Sequence, residues 1–244
     1  MSHFVFPKWT NAIRGPLAIS VLIGVLYVTM FVAYGFSPKT TDVGYAPEQP
    51  IPYSHELHVG QLGLDCRYCH NTVEDSAQAS VPPTQTCINC HQSIFPASEN
   101  LVALRDSFAS GRAVKWVRVH DLPDYAYFNH SAHVRRGVSC VSCHGRVDKM
   151  PVVYQHEPLS MAWCLECHRN PDPHLRPADQ VTNLAWAPSG EELIAEFPEF
   201  GKFLTAGHAG WKDESAEEVR RLFGSYLRKK NNINPSTDCS TCHR

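Results

Sequence analysis

The 244-residue sequence lacks any excess of basic charge: 22 Lys and Arg stand against 24 Asp and Glu, a formal net charge of −2. That excludes the cationic footprint by which a protein holds a nucleic-acid backbone. No G-x-S-x-G, P-loop or G-x-G-x-x-G motif occurs, so neither a hydrolase elbow nor a phosphate or dinucleotide cradle is encoded. Aliphatic residues are sparse outside one segment, and 18 prolines interrupt the chain. Such a chain is short of material for an ordinary apolar core, which implies that something else fills the interior. The length fits roughly one or two domains.

The exception is Gly15 to Phe36, GPLAISVLIGVLYVTMFVAYGF, which carries no charge. About 20 apolar residues suffice to cross a bilayer as a helix. Lys8 and Arg14 precede it, while Asp42, Glu48 and Glu56 follow together with Lys39. The positive-inside rule then puts the N-terminus in the cytoplasm and the rest of the chain in the periplasm. A cleaved signal peptide is the alternative, but the run is long for one and no clean small-x-small site follows it. The sequence predicts an uncleaved, single-pass anchor in the cytoplasmic membrane.

What the sequence has in abundance is cysteine and histidine, 10 and 14 respectively. All the cysteines fall in five copies of one pattern: Cys66-Arg-Tyr-Cys69-His70, Cys87-Ile-Asn-Cys90-His91, Cys140-Val-Ser-Cys143-His144, Cys164-Leu-Glu-Cys167-His168 and Cys239-Ser-Thr-Cys242-His243. C-x-x-C-H is the attachment motif of c-type haem. Its two thiols form thioethers with the haem vinyl groups, and the adjacent imidazole reaches the iron. Zinc is the competing reading, since 17 residues separate the first two pairs, a spacing that four-cysteine sites use. Zinc, however, has no use for a histidine after every second cysteine, and neither has a disulfide framework. Five covalent haems are expected, with His70, His91, His144, His168 and His243 as proximal ligands.

The second axial ligand of each iron decides whether a haem only carries electrons or also binds substrate. Two pairs stand out among the remaining histidines: His55 and His58 in HELHV, and His130 and His133 in HSAHV. Three residues apart on a helical turn, such rings diverge by about 60° on one side, so each can reach a different iron. Recurrence of the pair before an attachment site favours ligation over a hydrogen-bonding role.

This arrangement resembles the small cytochromes of the c3 and c7 family. The resemblance implies that the first histidine of a pair serves the haem attached next and the second serves a neighbour. His55 then goes to the haem of Cys66 and Cys69, and His130 to that of Cys140 and Cys143. His58 and His133 go most simply to the haems of Cys87/Cys90 and Cys164/Cys167. A c7 ligand just before the second attachment site serves the third haem; here that place holds Met161, three residues before Cys164. Met161 is therefore the candidate sixth ligand of the last haem, with Met150, His156, His120 and His208 as rivals. The match departs from the c7 pattern in residue type and in offset. Met/His ligation would raise that haem's potential above the bis-histidine ones.

The expected fold is mostly irregular plus α-helical: one N-terminal transmembrane helix and a multihaem cytochrome c domain with c7-like haem packing. Its divisions are a cytoplasmic N-terminus (1–14), the anchor (15–36), a proline-rich tether (37–52) and a first two-haem module (53–98). A connector (99–124), a second two-haem module (125–178) and a C-terminal segment with the fifth haem (179–244) follow. The echo between the two modules suggests duplication. The connector predicts a short helix over 99–108 and a strand-like AVKWVRVH over 113–120. In the last segment Ser215 and Glu218 predict a capping box. Behind it Val219, Leu222, Phe223, Tyr226 and Leu227 recur with helical period, and Lys229 and Lys230 close the helix.

WVRVHDLPDYAYFNHSAHV, CHGRVDKM, LSMAWCLECHRNP and the terminal CSTCHR, behind one anchor, resemble the pentahaem cytochrome subunit of alternative complex III. The stretch 180–228 departs from that pattern by its length. The resemblance implies an electron-conducting subunit, itself no enzyme, within a complex that oxidises quinol and passes electrons to periplasmic acceptors. It implies partners as well: an iron–sulfur subunit, quinol-binding membrane subunits, a monohaem cytochrome c, and a periplasmic carrier or terminal oxidase. A membrane quinol dehydrogenase of the NapC/NrfH type is an alternative; its small members place a methionine two residues after the first motif's histidine, where this chain has Thr72. A multihaem reductase with one open iron is another. Four paired histidines and at least one further ligand leave no iron that must be open.

Overall fold

The computed structural model describes residues 7, 9–208 and 210–243, and divides into two compact units, Met1–Val43 and Gly44–Arg244. The charge expected of Lys8 lies outside the described residues. In the first unit one helix, α1, runs over Thr10–Gly35, starting five residues before the apolar run itself. Its mean hydropathy is 2.3 and none of its residues is buried. At 1.5 Å per residue its 26 residues span about 39 Å, long enough to cross a membrane.

The second unit is helical and irregular, with no strand among the described residues. Its longer helices are α2 (Thr84–His91), α3 (Val102–Ser110), α4 (His130–Val134), α5 (Met161–Arg169), α6 (Gly190–Glu196), α7 (Pro198–Gly207) and α8 (Ala216–Lys230). The helix expected over 99–108 appears as a 3-10 turn, Glu99–Leu101, running into α3. Gly111 ends α3 in the left-handed region, φ 68°, where a side chain would be strained. A small cluster of Ile51, Ile88 and Leu104 joins α2 to α3, and the Thr84 and Ser107 hydroxyls meet across it at 2.7 Å.

The stretch 113–120 forms no strand. At Val117 the backbone partner is a side chain: Val117 N–H donates to Gln49 Oε1 (2.9 Å), and Gln49 Nε2 donates to Val117 O (2.8 Å). One amide satisfies both backbone groups, so no second strand is needed there.

The main apolar core lies where no attachment motif does. Leu193 of α6, Phe200 and Leu204 of α7, and Val219, Leu222, Phe223, Tyr226 and Leu227 of α8 bury together with Leu175 and Ile233. Phe223 sits at the centre, its ring 5.0 Å from Phe200 and 5.1 Å from Phe197. α8 starts as its sequence predicts, with Ser215 Oγ accepting from Glu218 N–H at 3.2 Å. The other half of the expected capping box is absent, because the Glu218 carboxylate pairs with Arg221 one turn on. A complete box caps α6 instead, between Ser189 and Glu192.

Gly224 lets α8 press against the turn at 172–174: a Cβ there would stand 1.8 Å from Asp172 O. The buried Asp172 carboxylate faces Arg228 from the same helix at 3.5 Å. Gly224→Ala is therefore expected to cost about 3 kcal/mol, the upper end for overpacking, since the obstructing atom is backbone. Thermal unfolding of the haem-loaded protein checks this, and an unchanged midpoint would mean that α8 is not seated on that turn.

Candidate haem-attachment sites

Each Cys-x-x-Cys lies on helical backbone: single turns at Cys66–Cys69, Val141–His144 and Cys239–Cys242, the last turns of α2, and α5. Residues i, i+3 and i+4 share one face of a helix. The two thiols and the histidine that follows are thus presented together, the arrangement that one planar group attached at an edge and ligated at its centre requires. Local capping sets up these turns: Asp65 accepts from Arg67 N–H (2.8 Å) before the first, and Ser160 accepts from Trp163 N–H (3.3 Å) at the start of α5. All ten cysteines are free of disulfides. Among the described residues no three His, Cys, Asp or Glu side chains converge as a metal cluster would.

The histidines carry the clearest signature. Seven of the described imidazoles have Nδ1 on a backbone carbonyl: His58 on Ser54 (2.8 Å), His70 on Ser80 (2.8 Å), His91 on Ile94 (3.0 Å), His130 on Ala77 (2.9 Å), His133 on Asn129 (2.7 Å), His168 on Ser236 (2.6 Å) and His243 on Tyr125 (3.0 Å). A carbonyl only accepts, so Nδ1 donates and carries the proton. The lone pair is then on Nε2, the tautomer and orientation that metal-bound histidines adopt.

The rings also stand at a diagnostic separation. Two imidazoles on opposite sides of one metal ion hold their centres about 6.3 Å apart, from two bonds of about 2.0 Å and two nitrogen-to-centre distances of about 1.15 Å. His58 and His91 are 6.2 Å apart, His130 and His144 are 6.3 Å apart, and His133 and His168 are 6.1 Å apart. Each pair joins one histidine of an H-x-x-H to the histidine of an attachment motif. His55 lies close to His70 and His58, and burial pushes its imidazole down to about 4. Burial, then the neighbouring His120 and His130, push His144 down to about 3. Both rings are therefore neutral near pH 7, as a ligand must be. The donor set fits haem c.

The two H-x-x-H segments are built alike, down to a feature that sequence reasoning missed. Tyr53 meets His55 edge-on (4.8 Å, 86°) and stacks on His58 (4.4 Å, 23°). Phe128 does the same to His130 (4.7 Å, 87°) and His133 (4.6 Å, 26°). The signal was available as an aromatic residue two positions before each pair. The second pair sits on α4, capped by Asn129. In the first, His55 is the N-cap and His58 lies within a π-helical turn, Glu56–Gln61, whose Gly60 admits Asp148 O where a Cβ would be 2.2 Å away.

The candidates for the fifth distal position are scattered. Met161 opens α5, one turn before Cys164 on the same face, and is 66% exposed, so it serves no core. Met150 is buried. His156 packs on Gly145 and its Nδ1 faces Glu157 Oε1 (3.0 Å). His208 packs on Phe203 within the C-terminal core (5.3 Å). His120 lies edge-on to His144 (4.4 Å), and its Nε2 is buried without a hydrogen-bond partner, as is Nδ1 of His55.

Five motifs on helical turns, imidazoles with Nδ1 on carbonyls and rings at metal-spanning distance define a multihaem cytochrome of c type. No model of a known protein family matches the chain. The menaquinone reductase multihaem cytochrome c subunit of Nitratidesulfovibrio vulgaris is 33% identical over 146 residues, covering 50% of this chain and 69% of that protein. The chain belongs to this family of multihaem cytochrome c subunits.

Gly137, at φ 84°, closes the turn after α4 where a Cβ would stand 2.3 Å from Arg176 O. Gly137→Ala is expected to displace α4 and with it His133. It should lower the thermal midpoint by an amount equivalent to about 3 kcal/mol and shift the low-spin EPR g-values of the haem-loaded protein. Unaltered g-values would show that this turn does not position the ring.

Proposed function

We propose that the chain is a membrane-anchored electron-transfer subunit of a quinone-linked respiratory complex, carrying five covalent haems with both axial positions of each iron filled. Bound haem c supplies reversible one-electron iron chemistry. The cysteines of the five motifs fix the groups covalently, and His70, His91, His144, His168 and His243 ligate from the proximal side. His55, His130, His58 and His133 fill the distal positions of the first, third, second and fourth sites, and Met161 that of the fifth. At His58, His70, His91, His130, His133, His168 and His243 the carbonyl acceptor leaves Nε2 unprotonated and holds the ring in place. With no position left for substrate, this chain conducts and the bond chemistry belongs to its partners. The observation that supports this reading most is the spacing of three histidine pairs at 6.1–6.3 Å.

The sequence phrases shared with alternative complex III support that complex as the setting. An iron–sulfur subunit, quinol-site membrane subunits and a monohaem cytochrome c would be neighbours there. Helix α1 anchors the chain, with the haem domain on the periplasmic side. Electrons then run from quinol towards a periplasmic carrier or oxidase. The relative's name supports a second reading of the direction, with electrons delivered to menaquinone.

Pyridine haemochrome analysis of the purified protein should give five haems per chain, and EPR of the oxidised form should show only low-spin ferric iron. A stoichiometric high-spin signal would reveal an open iron and favour a reductase. His58→Ala should convert one haem to high spin and leave the count unchanged, and Met161→Ala should lower the potential of one haem alone. Steady-state assays of the intact complex with a quinol and with a quinone decide the direction.

A further inference from the structure

The five attachment sites follow one another in sequence, but their contacts link them differently. The first and second sites share the pair His55 and His58, with Tyr53 between the two rings, and His58 faces His91 of the second. The first and third sites hang on one stretch of backbone: Cys66 Sγ lies 4.0 Å from Thr182 O, and Cys140 N–H donates to Val181 O (3.3 Å). His130, which faces His144 of the third site, donates from both its backbone N–H and its Nδ1 to Ala77 O, in the loop after the first site. Val73, Val134 and Val181 close this junction as a small apolar cluster against Cys140.

The third and fourth sites share His130 and His133, with Phe128 between them and His133 facing His168 of the fourth. The fourth and fifth meet at Ser236. Its carbonyl accepts from His168 Nδ1 (2.6 Å), and its hydroxyl lies 2.9 Å from Thr241 Oγ1, inside the fifth motif. The fifth is further held by segment 125–127, which leads into Phe128: Tyr127 N–H donates to Cys242 O, and His243 Nδ1 donates to Tyr125 O.

We infer that the attachment sites form a single row in the order second, first, third, fourth, fifth, so that the Cys87–Cys90 and Cys239–Cys242 sites are its two ends and the places where partner proteins exchange electrons with the chain. Exposure agrees with the contacts. Among the described residues Cys90 and Cys239 are the exposed cysteines, one at each end, while the eight others are partly buried. Beside His91 the row is flanked by the exposed Ile94 and Phe95, and beside His243 by the exposed Tyr125. Apolar and aromatic side chains of this kind suit the brief, small interfaces of electron-transfer partners. One electron leaves the row for each that enters, with no bond made or broken, and the donor and acceptor are one-electron carrier proteins. The N-terminal motif is thus internal, and α1 is followed in the chain by a site with neighbours on both sides.

This inference rests on the five-haem reading, and two measurements separate the two. Haemochrome analysis gives the count: fewer than five haems overturns that reading and the row with it. With five present, an experimental structure of the haem-loaded protein ranks the iron–iron distances. Expected are one near neighbour for the second and fifth sites and two for the first, third and fourth. Finding the first site with a single near neighbour, or the second and fifth adjacent, overturns the order while leaving the count intact. Spectropotentiometry gives an independent readout. His58→Met should raise the midpoint of its own haem and move that of one other, whereas His130→Met should move two others. Equal numbers of displaced neighbours for the two variants would contradict the row.

Discussion

A hydrogen bond from an imidazole Nδ1 to a backbone carbonyl governs much of this molecule. Seven described histidines make it, and each time it fixes three things at once: the tautomer, the rotation of the ring and the place of the ring relative to a loop. The carbonyls come from far along the chain as well as nearby. His168 uses Ser236, His130 uses Ala77 and His243 uses Tyr125. These imidazole hydrogen bonds are therefore also tertiary contacts. Removing a carbonyl would take away the contact that fixes the tautomer and rotation of its ring. This is why so short of aliphatic residues a domain can keep several metal-binding directions fixed at once.

The apolar core has a different task from the one usual in a domain of this size. It is gathered in α6, α7 and α8, where no haem is attached, and it leaves the motif-bearing region with two clusters of three buried residues each. Yet the segment it stabilises delivers the parts that join the sites: Val181 and Thr182 to the first and third, Ser236 to the fourth and fifth. Close backbone contacts make the junction stiff, with Gly224 on Asp172 and Gly137 on Arg176. The long stretch after residue 180, which separates this chain from the family pattern read in its sequence, is then a clamp on the row and not an idle insertion.

Much of this was legible beforehand because the chemistry demands fixed spacing. C-x-x-C-H puts two thiols and an imidazole on one helical face wherever it occurs, and H-x-x-H followed by valine recurs often enough to be seen. α8 was equally plain from Ser215 and its apolar period. What escaped was what depends on distance in space. No local signal tells that Gln49 would satisfy Val117 and so abolish the expected strand. Glu218 was read as a capping partner, but a longer cation three residues on, Arg221, outcompeted the backbone N–H for its carboxylate. The carbonyl partners of the imidazoles were hidden for the same reason, since any residue can offer a carbonyl. The aromatic residue two positions before each H-x-x-H, Tyr53 and Phe128, is by contrast visible in the sequence itself.

The likeness of the two H-x-x-H segments goes beyond their sequence. Tyr53 and Phe128 hold the same two angles to their histidines within a few degrees, although one pair sits on a π-turn and the other on an α-turn. The ring geometry is thus the same on the two kinds of turn. A ring wedged between two diverging imidazoles fixes the angle between them, and so fixes how two neighbouring planar groups face each other. In the proposed row each such segment would order two sites, the Val181–Thr182 backbone would join the two segments, and the last motif, tied to Ser236 and Tyr125, would extend the row at one end only. The sequence order of the motifs and their spatial order then differ for a simple reason. Within the first module the histidine nearer the attachment site reaches outward to the second motif, which leaves the first motif facing the second module.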